Sequence, residues 1–241
     1  MKKITFILFT CISGFSAFSQ NDPSKTFTLS INGGTAIPVG NFSKADYADQ
    51  KSGYASTGGH FNITATYSLT KNWGIGVLVG YSQFGHTGSQ NLSDGYKEDS
   101  GTDSTTLYLK GNNHSLSILI GPYYRIPAGN KFSVDVRVLG GYVNTHLAGF
   151  QVFYEDYTDN AMSQKESSGG GFGYQVGAGV NYQLTKTVAI KANGDYFSSK
   201  PKMDVAYDNF VVNSGRRLSS YNQSLSGINL TLGFAFNLFG K

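Results

Sequence analysis

The sequence predicts an all-β fold, an eight-stranded antiparallel up-and-down transmembrane β-barrel. Three observations carry this. Residues 228–239 alternate: Ile228, Leu230, Leu232, Phe234, Phe236 and Leu238 are large and apolar, and Asn229, Thr231, Gly233, Ala235 and Asn237 are small or polar. A strand points successive side chains to opposite faces, so this segment has one apolar and one polar face. The pattern recurs in seven upstream segments, joined by links that are alternately short and long. Charged residues make up 14% of the chain, beside 31 glycines, 16 tyrosines and 17 phenylalanines; ordinary soluble domains carry ~25% charged residues.

The first strand is expected over 26–35, with Phe27, Leu29 and Ile31 on one face. The second covers 57–69 (Phe61, Ile63, Ala65, Tyr67, Leu69) and the third 73–84 (Trp73, Ile75, Val77, Val79, Tyr81). The fourth spans 105–126 (Leu116, Ile118, Ile120, Pro122, Tyr124) and the fifth 131–147 (Phe132, Val134, Val136, Val138, Tyr142). The sixth covers 170–184 (Phe172, Tyr174, Val176, Ala178, Val180, Tyr182), the seventh 187–198 (Val188, Ile190, Ala192, Tyr196), and the eighth 221–239. Thr70-Lys71-Asn72, Pro127-Ala128-Gly129-Asn130 and Thr185-Lys186 are tight hairpin links. The remaining four links, 36–56, 85–104, 148–169 and 199–220, are long and rich in Gly, Ser, Asn and acidic residues. Such barrels have short turns at one end and long loops at the other.

Two places break the alternation. Leu107 and Leu109 are odd-numbered, whereas 116–124 use even positions; Tyr221, Gln223 and Leu225 are odd, whereas the last run is even. Bulges near 111–113 and near Gly227 would restore the faces. Alternatively, those segments lie beyond the membrane and have no lipid face to respect.

Residues 1–19 read as a secretory signal. Lys2 and Lys3 are followed by a short apolar stretch, and Ala17-Phe18-Ser19 is a small-x-small cleavage site, leaving residues 20–241 as one barrel domain. The apolar stretch is shorter than the ~20 residues of a spanning helix, and Thr10 and Phe9 before Cys11 do not form a lipobox. Cys11 is the one cysteine, so the processed chain has no disulfide. The net charge of +4, lower still without Lys2 and Lys3, is too weak for nucleic acid.

A lipocalin-like soluble barrel would also alternate. Its interior is just wide enough for side chains to fill, and the Phe, Tyr, Leu and Ile of all eight segments could not pack there together. The apolar face therefore points outward to lipid, and closure leaves no unpaired edge in hydrocarbon. Tyr67, Trp73, Tyr124, Phe132, Tyr182 and Phe236 fall near the short turns, and Tyr81, Tyr142, Phe172 and Tyr196 near the long loops, as two interfacial girdles.

The run Thr231-Leu232-Gly233-Phe234-Ala235-Phe236-Asn237-Leu238, followed by Phe239, resembles the C-terminal assembly signal of outer-membrane proteins, with Thr231, Gly233, Phe236, Leu238 and Phe239 at its marked positions. Gly33-Gly34-Thr35-Ala36-Ile37-Pro38-Val39-Gly40-Asn41-Phe42 resembles the first hairpin of small barrels from Bacteroidetes-type Gram-negative bacteria. Across the processed chain the resemblance is to the eight-stranded OmpA/OmpX-like barrels. It implies a monomer surrounded by outer-membrane lipid, inserted by the barrel-assembly machinery, with termini in the periplasm and long loops outside.

Parity turns Arg125, Asp135, Arg137, Lys191 and Asp195 into the lumen, with Gln175, Asn181 and Gln183 nearby. Buried charges pair or are costly, so a hydrogen-bonded plug is expected; a narrow polar pore is the alternative. His60, His86, His114 and His146 fall toward the loop end, but the first two point inward and the last two outward, so no metal site is expected. No cofactor is expected either. His86 and His114 lack the His-x-Ser spacing of a lipid-A deacylase, Asp103-Ser104 alone does not make an acyltransferase, and the glycines at 169–173 precede no helix. The reading is a non-catalytic barrel with a membrane-structural or surface-interaction role. Tyr47, Tyr54, Tyr96, Tyr154, Tyr157, Tyr207, Arg216 and Arg217 are its candidate loop contacts. A narrow porin-like channel, a secretion-system accessory barrel and a lipid-A-modifying enzyme are the other readings.

Overall fold

The structure, a computed structural model, describes residues 26–49, 51–154, 162–209 and 217–239. In chain order the described elements are β1 (Phe27–Pro38), a 3-10 turn (Gly40–Phe42), β2 (Ala55–Ser68), β3 (Trp73–His86), α1 (Ser89–Ser100), β4 (Thr105–Lys110), β5 (Asn113–Pro127) and β6 (Phe132–Leu147). Then come β7 (Gly149–Tyr154), β8 (Met162–Gln164), β9 (Ser167–Gln183), β10 (Val188–Ser199), β11 (Lys202–Asn209), β12 (Arg217–Asn222) and β13 (Leu225–Phe239). No helix among the described residues is long and apolar enough to cross a membrane.

Eight strands close a barrel in the order β1-β13-β10-β9-β6-β5-β3-β2, every pair antiparallel. The seam pairs Phe27 with Phe239 at one end and Pro38 with Gly227 at the other. All three tight links expected from sequence are at one end, which we call the turn end.

The outer wall is apolar. Ile118, Ile120, Val138, Phe234 and Leu232 all exceed half exposure, as a lipid-facing surface should in a chain without lipid. The girdle rings meet across strands: Trp73 and Tyr124 lie 4.8 Å apart, as do Phe132 and Tyr182.

The interior is a packed lumen. Thr28, Ser30, Asn32, Asn62, Thr64, Asn229 and Thr231 are buried there. The alternation alone predicts a face that is small and polar throughout. The structure adds a middle layer of Leu78, Leu119 and Leu139, exposed by 2% or less, with Phe84, Val143 and Phe197 nearer the loop end. Glycines make the room: a Cβ at Gly76 would strike the Tyr123 ring, and one at Gly177 would strike the Asp195 carboxylate.

Four expectations change. The segment 105–126 is two strands, divided at Gly111, which turns at φ 82, and 221–239 is likewise divided after Asn222. The second division is not a bulge; at the first, the pairing with the neighbouring strand steps by one residue, from His114–His146 to Lys110–Gly149, so that 111–113 stand opposite 147–148. The β3–β5 register runs unbroken from Trp73–Tyr124 to Phe84–Asn113, and β10–β13 runs unbroken through Gly227. Further register shifts lie at Phe27/Thr28 and Ser56/Gly59. Finally, the long links are not plain loops. They hold α1 and a second, five-stranded sheet of order β12-β11-β8-β7-β4.

That second sheet continues the barrel wall. β4 leads into β5, β7 follows β6, β8 leads into β9, β11 follows β10 and β12 leads into β13, so its strand order repeats that of their continuations. Five of eight strands thus rise above the barrel as a half-cylinder. The open side is filled by the segment 39–54 and by α1, whose Ser93 hydroxyl bonds to Thr105 of β4.

Candidate functional site

The five charged lumen residues lie close together on β5, β6 and β10. Arg137 and Asp195 flank β9 at the level of Gly177, and the missing side chain at Gly177 lets them meet. Arg137 donates from Nε to Asp195 Oδ1 at 2.8 Å and from Nη2 to Oδ2 at 2.6 Å, a two-point pair with both side chains under 5% exposed. Asp135 accepts from Lys191 Nζ at 3.1 Å and from Arg125 Nε at 3.0 Å. Arg125 opens toward the turn end, with 34% of its side chain exposed. The Tyr123 ring joins the two groups, 5.8 Å from Lys191 Nζ and 6.0 Å from Arg137 Cζ.

A hydrogen-bonded chain extends this network toward the loop end. Arg137 Nη1 donates to Asn193 Oδ1, Asn193 to Asn32 and Thr231, and Asn32 to Asn62. Asn62 Nδ2 meets His60 Nε2 at 3.1 Å, and His60 Nδ1 meets Ser82 Oγ at 2.7 Å. Of the other amides, Asn181 bonds Ser133 and also reaches Asp135, Gln183 bonds the turn carbonyl of Thr185, and Gln175 Nε2 is buried without a partner.

Water-sized access to this lumen is nearly nil. His60, Asn62, Leu119, Leu139, Gln175, Arg137 and Asp195 are all exposed by 5% or less. At the turn end a hollow of about 10 Å³ lies between Thr66, Tyr123, Arg125 and Asp135, at the lower limit for a single water.

The loop end is different. There the half-cylinder, the 39–54 segment and α1 enclose a cup of about 1230 Å³. Tyr47 and Tyr96 form one side, with rings 5.1 Å apart, and the Tyr47 hydroxyl donates to Asp99 at 2.5 Å. Burial raises the Tyr47 and Tyr96 hydroxyls well above their ordinary range. The sheet side carries Phe150, Met162, Gln164, Tyr207 and Tyr221; burial pushes Tyr221 up to about 12 and raises Tyr207 as well. Tyr54 also lines the cup. Its backbone sits at φ 48, a costly conformation for an aromatic residue, and its hydroxyl is buried without a partner.

Of the candidate loop contacts, Tyr47, Tyr54, Tyr96 and Tyr207 line this cup, and Tyr154 is half-buried at the end of β7. Tyr157 and Arg216 lie outside the described residues, and Arg217 begins β12 with its side chain outside them. Sequence reasoning misses Tyr221, Phe150, Met162 and Gln164. The odd parity at Tyr221 is the available signal.

The last strand places Thr231 in the lumen, 3% exposed, and Gly233 where a Cβ would meet the Ile31 carbonyl. Phe236 pairs with Leu29, and Phe239 with Phe27; Leu238 faces outward, 46% exposed.

The four histidines do not converge. His60 is in the lumen, and His86 bonds the Gly111 carbonyl. His114 and His146 stack on the outer wall, 4.6 Å apart. His146 also meets Ser168 Oγ at 2.9 Å, with Glu166 at 3.6 Å.

A family model described as "Outer membrane protein beta-barrel domain" matches residues 7–236. No curated protein matches the sequence. Among solved structures, a major outer membrane protein from Thermus thermophilus is similar at 13% identity and TM-score 0.51, over 88% of this chain and 99% of that one. The outer membrane protein OprG from Pseudomonas aeruginosa is similar at 12% identity and TM-score 0.43, over 91% and 99%. The outer membrane protease OmpT from Escherichia coli is similar at 10% identity and TM-score 0.44, over 89% and 95%. At these identities the likeness is one of fold.

Proposed function

The chain belongs to the outer membrane protein β-barrel domain family, and from that premise we propose that it is a closed, non-catalytic, monomeric barrel that presents the loop-end cup as an interaction surface. The observation that carries this is the packed lumen: between the cup and the turn-end hollow, Leu119, Leu139, Gln175 and Asp195 are each exposed by 2% or less. A solute path would leave lumen side chains wetted, and an eight-stranded barrel has no spare width. The charged groups inside then serve as internal cross-links between strands, since a buried pair is strongly disrupted when one partner goes.

Cleavage after Ser19, periplasmic termini, an exposed cup and insertion by the assembly machinery through 231–239 belong to the same proposal. The apolar wall supports outer-membrane lipid as the surrounding partner. Against catalysis, the two serine–histidine contacts are poorly placed. Ser82 and His60 are buried at 7% and 5% exposure, closed to any substrate. Ser168 and His146 lie on the outer wall, lining neither the cup nor the turn-end hollow. Glu166 at 3.6 Å is too distant to hydrogen-bond His146.

Planar-bilayer recording of the purified protein tests the reading. No stepwise ion current is expected from the native protein, and currents are expected only when the leucine layer is removed by combining Leu78→Ala, Leu119→Ala and Leu139→Ala. A steady native current abolished by altering Arg137 or Lys191 would establish the narrow channel instead.

A further inference from the structure

The cup, about 1230 Å³, is larger than a small-molecule pocket, which occupies ~300–1,000 Å³. An occupant of its size is a short oligomer. Its lining narrows the class. Tyr96, whose ring lies 6.0 Å from that of Phe150, lines the cup with Tyr207 and Tyr221, and a tyrosine ring offers a flat apolar face and a hydroxyl. Between them Gln164 and Gln223 add neutral amides that both donate and accept.

A lipid tail would leave these polar groups unpaired, at a cost, and would lack an enclosed apolar slot. A polyanion would need cations in number, and among the described residues Lys51 and Lys200 are the only ones that line the cup. A carboxylate-seeking cation would find the acids committed, Asp49 to Lys44 at 2.9 Å and Asp99 to Tyr47. An extended peptide would seek unpaired backbone; β7, β8 and β11 each have a strand on both sides, and of the two edges β4 is met by α1, which leaves β12. What remains is a ligand with apolar ring faces edged by hydroxyls.

We propose that the cup binds an oligosaccharide, with its pyranose faces on Tyr96, Tyr207 and Tyr221 and its hydroxyls on Gln164 and Gln223. The inference rests on reading the loop end as the interaction surface. Tyrosine hydroxyls, which ionise only near pH ~10, are protonated at physiological pH, so Tyr207 and Tyr221 can donate as well as accept.

The test uses the full protein in detergent micelles on an array of neutral and uronate-containing oligosaccharides, with isothermal titration of the array's strongest binder. Saccharide binding is expected, weakened about tenfold or more by Tyr207→Ala with Tyr221→Ala. Tyr207→Phe with Tyr221→Phe, which keeps the rings, should retain most of the affinity. Because Tyr207 and Tyr221 also pack on Leu147, Met203 and Val205, Gln164→Ala serves as a second variant, expected to weaken binding several-fold. No binding on the array, equal binding by all the variants, or capture of an extended peptide in place of sugar would overturn the proposal. If sugar fails to bind while the bilayer stays silent, this inference falls and the closed barrel stands.

Discussion

The barrel and the half-cylinder above it share strands and strand order, yet they are built with opposite polarity. In the barrel, Ile118, Ile120 and Leu230 face out and Ser117, Asn229 and Thr231 face in. In the half-cylinder, Met203, Val205 and Val152 are buried inside, and Thr106, Lys110, Lys202 and Asp204 are exposed outside. The inner face stays on odd positions where β4 meets β5, where β10 meets β11, and where β12 meets β13; the apolar residues move from even to odd. Where β6 meets β7 and where β8 meets β9 the inner face instead steps from odd to even, bringing Val152 and Gln164 inside, as the pairing shifts by one residue from His114–His146 to Lys110–Gly149. What changes is the solvent: hydrocarbon rewards an apolar exterior, and water rewards an apolar interior. The parity breaks at Leu107–Leu116 and Leu225–Ile228 mark where one medium gives way to the other.

This contrast predicts unequal sensitivity. The largest effect is expected from Asp195→Ala, which leaves the Arg137 guanidinium buried and unpaired; about 3–5 kcal/mol should be lost from the whole barrel, read as a lower urea midpoint of unfolding from lipid vesicles. Arg137→Leu with Asp195→Leu should recover much of it, because removing both charges also removes the desolvation cost. Next, Met203→Ala, at a fully buried site, should cost about 2–4 kcal/mol, but only of the half-cylinder. Protease cleavage over 148–164 and 200–224 should rise while the barrel's heat-modifiable gel shift stays put; loss of the gel shift would show the two regions to be one cooperative unit. Gly76→Ala, which drives a methyl group into the Tyr123 ring, should cost about 1–3 kcal/mol in the same urea assay. Tyr47→Phe removes the bond to Asp99 and should cost about 1 kcal/mol locally, visible as faster hydrogen exchange over 89–100 alone.

An alkaline titration sharpens the same comparison. Tyr47, Tyr96, Tyr207 and Tyr221 are all held neutral above the ordinary tyrosine range, burial being the first cause. A group with a raised folded pKa gives stability that is complete below its unfolded value, ~10 for tyrosine, and lost as pH rises toward the folded value. Exchange protection over 149–154 and 202–208 should therefore fall above about pH 10, ahead of the outward-facing strands below. Simultaneous loss in both regions would break the comparison.

Much of the barrel is legible in the chain. A period of two fixes which side chains share a face, and Thr70-Lys71-Asn72 or Thr185-Lys186 can close only a hairpin, so strand number, face and neighbour follow from local pattern. The inward set Arg125, Asp135, Arg137, Lys191 and Asp195 is legible by the same parity. Its pairing is not. Arg137 meets Asp195, 58 positions away, and not Asp135 two positions away, because register across β9 sets Gly177 between them. The leucine layer escapes sequence reasoning because a lumen closed to water accepts whatever volume fits, and the half-cylinder because its strands are short and hidden in polar links. Periodicity is a property of one strand and can be read from it. Partners across a closed sheet, and the cup that five extended strands and one helix enclose, depend on register and curvature summed around the whole ring.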